Sequence, residues 1–209
     1  MKVLAINGSP KNNGNTATAL MVMEEVFKSK GIEFEMITIG NQAIRGCIAC
    51  GLCAKAKSGR CEAFKDDAVN IVLEKVEEAD ALIIGSPVYY SGMNGTLKSL
   101  LDRVFYAGGT KNLFRGKVGA VLAAVRRTGG SETFFDLMKY LTYSQMVIAT
   151  STYWNVIHGR MPGEASQDLE GVVTLQTLAD NMAYLLEVLD KTEVALPERR
   201  ERAWTHFIR

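Results

Sequence analysis

"KVLAINGSPKNNGNT", Lys2 to Thr16, decides how the rest of the chain is read. Its first five residues form a short, nearly continuous apolar run, the pattern of a parallel strand buried on both faces. A Gly- and Asn-rich loop follows, and from about Thr16 a helical period runs to Lys30, where Gly31 stops it. Strand, polar loop and helix make one βα unit, and that order recurs. "IEFEMITI" (Ile32 to Ile39) is a second strand; after a cysteine-bearing loop, Asp66 or Asp67 caps a helix with Val69, Val72, Leu73 and Val76 on its apolar face. "ALIIG" (Ala81 to Gly85) is a third strand, followed by a helix with Leu97, Leu100, Leu101 and Val104 at i, i+3, i+4 and i+7. "VGAVLAAV" (Val118 to Val125) precedes a helix from about Ser131 to Leu141, and "MVIATST" (Met146 to Thr152) precedes one from roughly Gln167 to Leu189. Five such units predict an α/β fold, a doubly wound five-stranded parallel sheet whose right-handed crossovers put helices on both faces.

Composition sets outer limits on function. With 47% hydrophobic and 22% charged residues and 4 prolines among 209 residues, the chain is that of an ordinary folded domain. We expect one domain over 1–190, with a cysteine-rich loop, 46–61, inserted after strand two, and a C-terminal tail over 191–209 that packs on its own subunit or a neighbour. Twenty-four Lys and Arg against 23 Asp and Glu leave a net charge of +1, so no overall field selects nucleic acid or an anionic membrane. The apolar run at the N-terminus is too short for a signal peptide, and no run approaches a membrane span. A cytoplasmic location is expected, where clustered cysteines serve as metal ligands or redox groups more often than as disulfides.

Ligands of a doubly wound sheet sit beyond the carboxyl ends of its strands, where strand order reverses, so the loops after strands one and three matter most. The first, "NGSPKNNGNT", lacks the Lys of a Walker A loop and the glycine spacing of a dinucleotide fingerprint. It suits an anion nonetheless. Ser9, Asn15 and Thr16 supply side-chain donors, Gly8 and Gly14 allow close backbone approach, Lys11 adds charge, and the helix start points free N–H groups at the same place. Asn7 and Gly85 stand where a response-regulator receiver needs acids, and no cysteine occupies the first loop as a low-molecular-weight tyrosine phosphatase requires. The loop after strand three, "GSPVYYSGMNGT", offers Tyr89, Tyr90 and Met93 as a platform for a planar ring. A phosphate loop beside a ring platform points to FMN; a polar capping turn and packed loop tyrosines are the plainer alternatives.

Here the chain resembles a family. "GSPKNNGNT" and "SPVYYSGMNGTLKSLLDR" are similar to the flavodoxin-fold NAD(P)H-dependent FMN reductases, close to the multimeric flavodoxins, over most of the length. The resemblance implies a flavodoxin-like sheet in the order 2-1-3-4-5, with Ser9, Lys11, Asn13, Asn15 and Thr16 gripping the FMN phosphate. Pro87, Val88, Tyr89, Tyr90 and Ser91 then line the isoalloxazine. In "VRRTGG", Arg126 would offset negative charge on reduced flavin, or Arg126 and Arg127 are solvated loop cations. The implied activity is hydride transfer from NADPH or NADH to FMN and on to a small-molecule or ferredoxin-type protein acceptor, in a homodimer or homotetramer. "YWNVIHGRMPGE" (Tyr153 to Glu164) adds Trp154 as a cover for flavin or substrate, and His158 as a proton donor or a hydrogen-bonded surface histidine.

All four cysteines, Cys47, Cys50, Cys53 and Cys61, fall within fifteen positions at C-x2-C-x2-C-x7-C. Three at x2 intervals wrap one face of a cluster and a fourth closes it. The spacing resembles the compact motif of the iron–sulfur flavoproteins, a branch of the same family, which implies a 4Fe–4S cluster; Glu62 rather than proline follows the last cysteine. Tetrahedral zinc and unmetallated thiols stay open as alternatives. Lys55, Lys57 and Arg60 would tune a cluster. Because the insertion leaves the edge that carries FMN, the thiols are expected beside the flavin.

Overall fold

The computed structural model describes residues 1–201 and 203–207, so the expected tail of 191–209 lies partly outside the described residues. The elements run β1 (Lys2–Asn7), α1 (Asn15–Ser29), β2 (Glu33–Thr38), α2 (Leu52–Ala56), α3 (Ala68–Glu78), β3 (Ala81–Tyr89) and β4 (Gly92–Met93). They continue with α4 (Gly95–Gly109), β5 (Val118–Val125), α5 (Gly130–Tyr143), β6 (Val147–Ile148), β7 (Val156–His158) and α6 (Leu169–Lys191). The sheet order is β2-β1-β3-β5-β6, with β4 antiparallel to β3 and β7 parallel to β5.

Alternation along the strands sorts the helices into two layers. Leu4, Ile6, Leu82, Ile84 and Val121 face one way, into a core shared with α3, α4 and α5; Val3, Ala5, Ile83, Ala120 and Leu122 face the other, against α1 and α6. Both faces are dry, which is why the strands read as apolar runs, and each fully buried Leu or Ile stabilises the fold by about 1.5–3 kcal/mol.

Two features depart from the expected order 2-1-3-4-5. The first is β4, a two-residue strand that pairs Val88 with Met93 and Tyr89 with Gly92, too short to show in a hydrophobic pattern. The second lies at the fifth position, where the strand expected over Met146–Thr152 is cut to Val147–Ile148 and resumes as β7. Asn155 explains the break. Its Nδ2 donates to the Val121 carbonyl at 2.9 Å while its own carbonyl accepts from Ala123 N at 2.9 Å, so an amide side chain replaces strand pairing and 150–154 leaves the sheet.

Asp168 caps α6, accepting from Gly171 N at 3.1 Å, and also accepts from His158 N at 2.7 Å, with His158 Nδ1 at 3.1 Å. Burial alone would raise its carboxyl, but the two backbone N–H groups and the imidazole hold it below its ordinary value. A depressed carboxylate stabilises the fold above its unfolded pKa, and that contribution is lost as pH falls through the folded one. Asp168→Ala is expected to cost about 1 kcal/mol at pH 7, an N-cap's usual worth, and progressively less below about pH 4. Urea midpoints of both proteins at pH 7 and pH 3 check this; a difference that does not shrink contradicts it.

Candidate functional site

The loop after β1 is built by its own polar side chains. Asn7, buried at the strand's end, accepts from Ser9 N through Oδ1 at 3.0 Å and donates through Nδ2 to Thr38 Oγ1 at 3.1 Å. Ser9 Oγ in turn accepts from Lys11 N at 3.2 Å, and Gly8 N donates to the Gly85 carbonyl at 2.8 Å, which locks the loop to the end of β3. Gly14 is the N-cap of α1 and makes no side-chain cap bond, so the first N–H groups of the helix have no capping acceptor. A cradle of backbone donors at a helix start fits a phosphate.

The expected phosphate ligands separate into distinct roles here. Thr16 is buried, its Cγ2 pressed against the Gly85 backbone, and Ser9 is buried beside Gly14; Lys11 and Asn13 are exposed. Asn15 does something the sequence did not disclose: its Oδ1 accepts from Ala165 N at 3.1 Å, which ties the segment after β7 to the phosphate loop. Gly40 was also missed. A Cβ there would lie 2.2 Å from Ser9 C and 2.4 Å from Gly8 O and Pro10 N, so the turn after β2 presses directly on this loop. Its only sequence signal was a glycine directly after a strand.

The expected ring platform is the β3–β4 hairpin. Pro87 and Val88 are half-buried, while Tyr89, Tyr90 and Ser91 are exposed. Tyr90 and Ser91, at φ +49° and +59°, form a two-residue turn with both residues left-handed, a geometry favouring Asn-Gly that costs about 1–2 kcal/mol for each ordinary residue. Buried Ser86 anchors the hairpin, its Oγ accepting from Asn94 N at 3.0 Å, while Asn94 caps α4 through Leu97 N at 3.1 Å. The β5–α5 loop closes on this turn at Gly129, φ +87°, where a Cβ would lie 2.8 Å from Ser91 Cα. Arg126, exposed in that loop, thus belongs to the same end of the sheet. Trp154 instead meets Tyr153 and Phe135, ring centroids 5.1 and 6.0 Å away, in an exposed aromatic group.

The cysteine loop runs away from this end. Gly40 lies beside Ser9, a Cβ on Gly46 would be 3.9 Å from Ser99 Oγ, and Gly59 N donates to Thr110 Oγ1 at 3.3 Å, so the loop descends the length of α4. Cys47, Cys50, Cys53 and Cys61 are free thiols lining one hollow with Arg103 and Tyr106; the first two are exposed and the last two buried. Arg103 is nine residues beyond the α4 cap, about 14 Å along the helix axis. Within one chain the loop thus passes along α4 from near Ser99 to Thr110, and the separation of the thiols from the flavin end is set by that helix as well as by the insertion point. Among the described residues no three His, Cys, Asp or Glu side chains converge as ligands of a single metal ion.

Cys61 is held most firmly. Asn70 accepts from its N–H at 2.8 Å and donates to its carbonyl at 3.1 Å, and Arg103 Nη2 donates to its Sγ at 3.3 Å. Burial would raise this thiol, but the Phe64 N–H, Arg103 and the Ala63 N–H outweigh it and hold it below its ordinary value; Cys53 is pushed up by burial, with Cys61 and Cys50 adding to it.

Comparison with known proteins places these features. A family model described as NADPH-dependent FMN reductase matches residues 1–160. An iron-sulfur flavoprotein of Methanocaldococcus jannaschii is 33% identical over 203 residues, 91% of this chain and 100% of that protein. The crystal structure of RosB with bound 8-demethyl-8-formylriboflavin-5'-phosphate matches with a TM-score of 0.72 at 16% identity, over 100% of this chain and 94% of that one. A flavodoxin from the domain Archaea matches with a TM-score of 0.57 at 14% identity, over 90% and 99%. These last two likenesses speak for the fold alone. The family match takes in every strand from β1 to β7 together with the phosphate-type loop, the hairpin and the cysteine loop, and the chain belongs to the flavodoxin-fold NADPH-dependent FMN reductases, in their iron–sulfur flavoprotein-like branch.

Proposed function

We propose that this flavin-dependent oxidoreductase takes hydride from NADPH or NADH onto FMN and passes electrons to a small-molecule or protein acceptor, with Cys47, Cys50, Cys53 and Cys61 holding a 4Fe–4S cluster. The observation that carries the reading is the placement of all four free cysteines around one hollow in a chain whose α1 start is open to a phosphate. FMN supplies hydride acceptance and stepwise electron release, and a cluster supplies one-electron transfer. The protein binds and orients: Ser9, Thr16 and the α1 N–H groups hold the phosphate, Lys11 and Asn13 rim it, the Pro87–Ser91 hairpin supports the ring, and Arg126 offsets charge on reduced flavin. Compact C-x2-C-x2-C spacing closed by a fourth cysteine favours a cluster over structural zinc, which usually pairs two separated C-x2-C knuckles. Exposed Lys55 and Lys57 beside the cysteines favour, as a second reading, an acidic ferredoxin-type protein as electron donor or acceptor. The exposed group of Phe135, Tyr153 and Trp154 supports assembly as a homodimer or homotetramer. Among the described residues no helix is long and apolar enough to cross a membrane.

Anaerobic purification with FMN, iron, sulfide and zinc counted per chain tests the cofactors, and flavin bleaching on addition of NADPH or NADH tests the donor. Bleaching by a reduced ferredoxin alone would favour the carrier reading; flavin with stoichiometric zinc and no bleaching would leave a binding protein. Thr16→Val keeps the methyl that packs on Gly85 and removes only the hydroxyl. Loss of one hydrogen bond to a charged acceptor is worth about 1.5–3 kcal/mol, so FMN affinity should fall at least about tenfold. Riboflavin, lacking the phosphate, should bind both proteins with equal, weak affinity in fluorescence titrations; an equal loss for both ligands would take Thr16 out of the phosphate site.

A further inference from the structure

Arg103 is the least expected residue near the cysteines. It sits on α4 with a relative exposure of 2%, buried where a guanidinium is rarely left, and its Nε has no hydrogen-bond partner. The rest of the fork is engaged: Nη1 donates to the Arg45 carbonyl at 3.1 Å and pairs with Asp67, and Nη2 donates to the Phe64 carbonyl at 2.9 Å and to Cys61 Sγ at 3.3 Å. Its guanidinium carbon lies 5.1 Å from the centre of the Phe64 ring. Arg45 and Phe64 flank the first and last cysteines, so one side chain of α4 grips both ends of the loop. A residue serving only as a strut would need no contact with sulfur and no idle donor. Arg103 lines the same hollow as the four thiols, and its Nη2 contact with Cys61 Sγ sets a fixed cation against whatever that sulfur holds.

We propose that Arg103, opposed by Asp67, sets the reduction potential of the cluster held by the four cysteines; this rests on the cluster reading above. The physical reason is charge. On reduction one electron enters, no bond forms or breaks, and the site becomes more negative; a fixed cation donating N–H groups to sulfur stabilises that reduced form and raises the potential, and a neighbouring carboxylate lowers it. The two side chains therefore act in opposite directions.

That opposition makes the test specific. Arg103→Met removes the cation, while Asp67→Asn removes the anion and keeps the α3 cap, since Asn caps as well as Asp. Each protein is purified anaerobically, assayed for iron and sulfide, and titrated with dithionite under EPR, with the FMN potential measured alongside. Arg103→Met is expected to shift the cluster's reduction equilibrium at least about tenfold toward the oxidised form, ~59 mV for one electron, and Asp67→Asn to shift it toward the reduced form. The FMN potential should not move. If Arg103→Met fails to keep the cysteine loop folded or loaded, Asp67→Asn decides alone, and a potential that does not rise overturns the proposal. Variants that load iron and sulfide at wild-type ratio with unmoved potentials overturn this inference and leave the cluster reading standing. Wild-type protein that takes up no iron and sulfide overturns both.

Discussion

Replacing Gly40 with alanine is expected to strip FMN from the protein. The new methyl would sit 2.2 Å from Ser9 C and 2.4 Å from Gly8 O and Pro10 N, all backbone atoms that no rotamer change can clear. Either the turn after β2 or the phosphate loop must move, and the two are joined, since Ile39 N donates to the Asn7 carbonyl at 3.0 Å and Asn7 Nδ2 to Thr38 Oγ1 at 3.1 Å, so a shift of the turn is carried into the loop. The loop is fastened by Gly8 N to Gly85 O and by Asn7 to Ser9 and Thr38. Overpacking of this kind costs about 1–3 kcal/mol, and here the displacement falls on the donors that must converge on a phosphate. A lower urea midpoint together with a colourless protein after gel filtration is the expected outcome. Because β2 is the edge strand, its end can yield without breaking the core, so the variant is expected to fold. Yellow Gly40→Ala protein with unchanged FMN affinity would show that the β2 turn does not shape the loop.

The contrast between Gly40 and Gly31 shows what a sequence discloses. Gly31 ends a helix at φ +69°, a local event that follows a local pattern, whereas Gly40 is required by a strand and a loop some thirty residues earlier. The same division runs through the fold. Core strands and helices were legible because Leu4, Ile6, Leu82 and Ile84 alternate with Val3, Ala5 and Ile83, and because Leu97, Leu100, Leu101 and Val104 repeat at helical spacing. The interruption of the fifth strand was not, since "MVIATST" opens as an apolar run like a buried strand and the competing partner, the Asn155 amide, lies beyond its end. Arg103 was hidden for a related reason. Its neighbours in sequence mark it as one charge on a helix, and only tertiary contact with Arg45, Cys61 and Phe64 shows that it faces inward. The cysteine spacing was plain to read; the direction the loop takes depends on which side of α4 accepts it.

That direction bears on the second large effect, the loss of iron and sulfide when any one of the four cysteines becomes serine. Each thiolate would supply one corner of a cubane, and a serine hydroxyl is a harder, far less acidic ligand that does not replace it. Cys61→Ser should be the most damaging. It removes the sulfur that Arg103 meets at 3.3 Å and that the Phe64 and Ala63 N–H groups favour as thiolate, whereas Cys47 and Cys50 stand on the exposed rim. FMN content should be unchanged in all four variants, because none of the four cysteines lies in the phosphate-type loop or in the flavin hairpin. Bleaching of the flavin by NADPH or NADH should persist for the same reason, while delivery of electrons to a one-electron acceptor slows. The measurement is iron, acid-labile sulfide, zinc and FMN per chain in anaerobically purified protein, followed by stopped-flow reduction of the flavin. If a Cys→Ser change lost FMN as well as iron, the thiols and the flavin would have to share one site, which the descent of the loop along α4 contradicts. Stoichiometric zinc in the wild type would assign the hollow a structural role, and four titratable thiols after anaerobic reconstitution with iron and sulfide would leave a flavin reductase whose cysteine loop binds no metal.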